Sequence, residues 1–184
     1  MDILAAGLTA IGLAACAGLR AFLPIFGVGL AARLLGWPLP SGLDTLASDT
    51  ALLIFGIATL VELAADKIPV VDNILDAIHT VIGPVLGILA AYIPFSNLPL
   101  PYALALAIMT GATVAGGVHA LAATSRIKSS VLTVGIANPV LSVIEDILAI
   151  STLVVTILAP VLVLLVFAGV IFLILRRRRT RALA

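Results

Sequence analysis

Charge is what this sequence has least of. Only 10% of its 184 residues are Asp, Glu, Lys or Arg, while 62% are hydrophobic. A soluble domain carries roughly 25% charged residues. Too few polar side chains are present to cover a water-facing surface, so a water-soluble globular domain is excluded. Cysteine is nearly absent as well. With Cys16 alone, no intrachain disulfide can form. The run Leu13-Ala14-Ala15-Cys16 resembles a lipoprotein cleavage box, but no Lys or Arg precedes it, and a secretory signal opens on basic residues. Cys16 therefore reads as a small packing residue. Aromatics are scarce too, at 5%, with one tryptophan, Trp37, which suits a membrane–water interface. No Ser-centred elbow, zinc-protease helix, nucleotide loop or paired CxxC occurs, so nothing points to an enzyme or a cofactor.

What the chain has in quantity is long apolar sequence, with a mean hydropathy of +1.31. A helix needs about 20 apolar residues to cross roughly 30 Å of hydrocarbon. On that rule the sequence predicts an all-α, polytopic transmembrane bundle of five to six segments, forming a single domain over residues 1–175. Pro24 interrupts the first segment, at 3–23, and a Gly-rich stretch follows at 25–35. The next segments fall at 51–65 and at 72–92, where Asp72 or Asn73 opens the helix and Pro84 bends it. A crossing at 102–124 comes next. Residues 125–140 read as a short or broken segment, crossing or re-entrant, and 141–175 as a last long one that Pro160 kinks.

Arg176 to Arg179 and Arg181 make 176–184 a basic tail, which the positive-inside rule assigns to the cytoplasm. No interleaved aromatics accompany it, so nucleic acid is not an expected partner. If 125–140 crosses, tracing backwards puts Arg126, Lys128, Lys67 and the N-terminus inside, and Glu145 and Asp146 near the outer face. The expected partners are the lipid bilayer, an ion or small solute, and a second copy or another membrane subunit.

Gly18-Leu19-Arg20-Ala21 resembles Gly117-Val118-His119-Ala120, and Val71-Asp72-Asn73-Ile74 resembles Ile144-Glu145-Asp146-Ile147. Half-repeats over 1–93 and 101–175 would make a three-plus-three inverted repeat, an architecture many transporters use.

Ionisable residues inside apolar sequence are costly, by about 2.5–3.5 kcal/mol each on insertion scales, and mark candidate sites. The densest group is Glu62, Asp66, Lys67, Asp72, Asp76 and His79. Glu62 and Asp66 share one helical face, and Asp72, Asp76 and His79 share another. Such a set suits cation binding or proton relay. It equally suits helix capping at Asp72, neutralisation by Lys67 and an interfacial position. Arg20, His119, Asn138, Glu145 and Asp146 are candidate pairing or gating residues, with Arg20 also able to meet an anionic headgroup. Three functions fit: a transporter or channel using intramembrane carboxylates, a non-transporting scaffold or accessory subunit, and a lipid-handling protein or flippase.

Two passages carry a family resemblance: Ala17-Gly18-Leu19-Arg20-Ala21-Phe22-Leu23-Pro24 and Glu62-Leu63-Ala64-Ala65-Asp66-Lys67-Ile68-Pro69-Val70-Val71-Asp72. They resemble a bacterial integral-membrane family catalogued as domain of unknown function 4126. The resemblance implies a position in the bacterial inner membrane and brings no activity with it. Glu62-Leu63-Ala64-Ala65-Asp66-Lys67 is also similar to the Glu-x-Gly-Asp-Lys/Arg signature of a six-helix cation/proton exchanger family. Here one more residue separates the acids, and the glycine is missing.

Overall fold

The computed structural model describes residues 2–134, 136–160, 162 and 169, without the side chains of residues 69, 70, 72, 73 and 76. Among the described residues the chain is all-helical: α1 (Ile3–Leu19), α2 (Leu23–Leu35), α3 (Asp49–Ala65), α4 (Pro69–Phe95), α5 (Leu100–Thr133) and α6 (Asn138–Leu158), with one 3-10 turn at Asp44–Ala47. Three stretches are long and apolar enough to cross a membrane: Ala77–Phe95, Leu100–Thr133 and Asn138–Leu158. Large apolar side chains such as Leu53, Leu60, Val81 and Met109 point outward. An apolar surface of that extent belongs in lipid. The chain is a helical membrane protein.

Helix α1 is the axis. Its Ala6, Ala10, Ala14 and Ala17 are buried, and α4, α5 and α6 all pack against it. Lipid supplies no hydrophobic drive for that packing, so close van der Waals approach must hold the helices together. Small residues allow it. A Cβ on Gly18 would lie 2.5 Å from the Ala115 carbonyl oxygen, and one on Gly111 would lie 2.5 Å from the Ile88 Cα. Ala91, Phe95, Ala103 and Ala107 join Ala6 and Ala10 in a core cluster. That cluster sits where α1 begins and α4 turns into α5, at the end of the bundle away from Arg20.

The first segment stops earlier than the sequence suggested. It ends at Leu19, Arg20 is extended at φ −143°, and Pro24 takes a place in the first turn of α2. Proline there needs no N–H partner. Pro69 likewise opens α4 directly, three residues before Asp72. The largest difference falls at 125–140. No break follows Thr124. Helix α5 runs unbroken for 34 residues, about 51 Å at 1.5 Å per residue, and α6 starts at Asn138 with Pro139 in its first turn. Residues 125–133 are the end of one helix, neither a crossing nor a re-entrant segment. Two described helices, α5 and α6, follow the 96–99 turn, so a three-plus-three arrangement is not seen among the described residues. Helix α6 ends at Leu158, two residues before Pro160. The basic tail 176–184 lies outside the described residues.

A buried ion-pair network beside an apolar cleft

Arg20 occupies the break between α1 and α2 and is only 1% exposed. A guanidinium there must have anions around it, because an unpaired charge in an apolar interior costs several kcal/mol. Helices α3 and α6 supply them. Nη1 pairs with Asp66 at the end of α3. Nε donates to Asp146 Oδ1 of α6 at 2.7 Å. Nη2 donates to the Ser142 hydroxyl at 3.3 Å. Asp66 also accepts from Arg126 Nη2 of α5 at 2.9 Å, and Arg126 is ion-paired to Glu145. Lys67 completes the set, donating to Asp146 Oδ2 at 2.6 Å and to the Leu63 carbonyl at 2.6 Å. Arg20, Lys67 and Arg126 thus neutralise Asp66, Glu145 and Asp146 across the ends of α1, α3, α5 and α6.

The pairings revise the sequence-based topology. Arg126 and Glu145 touch, as do Lys67 and Asp146, so these residues cannot lie on opposite sides of a bilayer. The unbroken α5 is the reason. Without a crossing at 125–140, Arg126 and Glu145 flank one turn at one end of a helical hairpin. Sequence reasoning did not select Arg126 or Ser142. The signal was present: residues 125–133 hold no Gly or Pro, so nothing ends the helix before Gly135.

Glu62 stands apart from this set. It is 5% exposed, and its carboxylate caps the start of α2 from α3. Oε1 accepts the Ala21 N–H at 2.7 Å and Oε2 accepts the Phe22 N–H at 3.2 Å. These are orphan donors of a helix start. His79 Nε2 lies 3.6 Å from Glu62 and donates to the Ala17 carbonyl at 3.2 Å. The His79 ring is 5.2 Å, centroid to centroid, from that of His119, whose Nε2 lies 3.1 Å from the Thr80 hydroxyl. Glu62 and Asp66 are both buried within the bundle.

A cleft of about 430 Å³ opens between α3 and α4, with Glu62 and His79 in its lining. Its wall is otherwise apolar: Ala21, Phe22, Ile54, Ile57, Ala58, Val61, Leu75, Ile78 and Ile82. Ile54, Ile57, Val61 and Ile78 are exposed, so the cleft faces sideways, out of the bundle. Asn138 lies apart, at the start of α6, its Nδ2 donating to Ser130 Oγ at 2.9 Å. The side chains of Asp72 and Asp76 fall outside those described, although both residues lie in α4. Among the described residues no three His, Cys, Asp or Glu gather as a metal site.

The model of one protein family, described as a domain of unknown function (DUF4126), matches residues 8–179. The chain belongs to that family. No curated protein and no solved structure matches it. As a DUF4126 member, it inherits no substrate or activity from its family, and function has to be argued from the site.

Proposed function

We propose that this DUF4126 protein is a small proton-linked transporter, with no chemical conversion of its solute. The solute occupies the α3–α4 cleft, and Glu62 is the carboxylate that carries a proton across, whether or not solute is bound. One observation carries the reading: an outward-opening, apolar cleft has a buried carboxylate and a buried imidazole in its wall. Ligand sites commonly combine about 300–1,000 Å³ of mostly apolar space with a few convergent polar groups. From Glu62 the polar side chains continue through His79 and His119 to the Thr80 hydroxyl. Arg20 and Asp66, which face Glu62 from the other side, are bound to each other.

The neutralised network serves as the latch between helices. Asp66 and Lys67 hold the end of α3 to α1, α5 and α6, while α3 and α4 touch little. Releasing those pairs would let α3 swing away from α4 and re-face the cleft. The lateral opening also favours a second reading, lipid handling. Against it, the guanidinium of Arg20 is closed off by carboxylates and is not offered to a phosphate.

Proteoliposomes loaded with pyranine test the proton link. Under an imposed pH gradient with valinomycin and potassium, the wild-type chain collapses the gradient faster than empty liposomes. Glu62→Gln returns the rate to that of empty liposomes. Equal rates for wild type and empty liposomes would remove the proposal.

A further inference from the structure

We infer that the α3–α4 cleft selects a small lipophilic cation. This rests on the transport reading and names its substrate class. The wall built by Ile54, Ile57, Ala58, Ile78 and Ile82 offers an apolar body nothing but dispersion and burial. The charge in the lining is Glu62, and among the described residues no Lys or Arg is ion-paired to it. Arg20, Lys67 and Arg126 are committed to Asp66, Glu145 and Asp146. The Glu62 oxygens accept two backbone N–H groups, and a carboxylate has roughly four acceptor positions. His79 Nε2 is spent on the Ala17 carbonyl. A bound anion would meet Glu62 in a low-dielectric site and be repelled, whereas a neutral apolar molecule would leave that charge unmatched. An apolar body bearing one positive charge satisfies both halves of the cleft. It reaches them from the bilayer, because the exposed side chains of the lining face outward.

Tetraphenylphosphonium and tetraphenylborate have nearly the same shape and opposite charge, which makes them the probes. Equilibrium dialysis of radiolabelled tetraphenylphosphonium against the full chain in phosphatidylglycerol nanodiscs, corrected for empty nanodiscs, gives saturable binding. Tetraphenylborate gives none. Glu62→Gln weakens binding at least about tenfold, as expected for loss of a close charge pair. Ile57→Trp, which narrows the cleft and leaves Glu62 in place, does the same, so the result does not depend on how well the Glu62 variant folds. Addition of phosphatidylethanolamine leaves the binding unchanged. Equal binding of the two probes, or tetraphenylphosphonium binding that survives both substitutions, overturns the inference. Displacement by the amino lipid overturns it in favour of a lipid headgroup as occupant. Pyranine flux without phosphonium binding sinks this inference alone, and binding without flux sinks the proton link alone.

Discussion

Arg20 and Arg33 are both ion-paired, yet they carry different weights. Arg33 and Asp49 are side-chain exposed by 45% and 88%, and an exposed pair is worth about 0–1 kcal/mol. Arg20 is enclosed, so Arg20→Ala leaves three carboxylates, Asp66, Glu145 and Asp146, to two cations, Lys67 and Arg126. Removing one member of a buried pair costs about 3–5 kcal/mol. Thermal unfolding in detergent should show a large loss for Arg20→Ala and almost none for Arg33→Ala. Equal effects would mean the network is open to water. Glu62 offers a second contrast. Glu62→Ala leaves the Ala21 and Phe22 N–H groups without their acceptor, at about 1–3 kcal/mol for a stranded buried donor. Glu62→Gln keeps one carbonyl oxygen for them, so it should unfold at a higher temperature than Glu62→Ala. The same melting experiment checks this, and an identical melting point for the two variants would argue against the cap.

Between helices, the decisive quantity is how closely backbones approach. Gly111 abuts the α4 backbone at Ile88 and Gly87, which cannot yield as a flexible side chain would. Gly111→Ala must push α4 and α5 apart and lower the melting temperature. Gly117, on the same helix, has nothing within 4 Å of an added Cβ. Gly117→Ala should be neutral or stabilising, by up to the roughly 1 kcal/mol that alanine gains over glycine in a helix. Reversed outcomes would contradict the α4–α5 packing. The elements themselves were largely legible in the sequence, because apolar runs and prolines are local signals. Pro24, Pro69 and Pro160 all fall at or near helix ends. What was not legible was which charges meet. Arg126 lies 60 residues from Asp66 in sequence, and Lys67 lies 79 from Asp146. No local pattern encodes such pairings. Residues 125–140 read as a broken segment because Gly135, Asn138 and Pro139 lie in it, but those breakers all follow Thr133, where α5 ends. A crossing there would have parted Arg126 from Glu145, which the structure joins.

For the molecule as a whole, composition alone pointed to a bilayer as the solvent, and the outward-facing Leu53, Leu60 and Met109 agree with it. Family membership adds no chemistry, so the functional account depends on where the α3–α4 cleft faces. Cys16 is the sequence's one cysteine and is fully buried, so Cys16→Ala gives a cysteine-free background at the loss of a single sulfur atom. The most direct measurement is spin-label accessibility at Ile57→Cys in that background, reconstituted in liposomes. A cleft facing lipid gives a nitroxide relaxed strongly by oxygen and hardly at all by water-soluble nickel chelate. Strong relaxation by the nickel chelate and weak relaxation by oxygen would place the cleft in water and contradict the account.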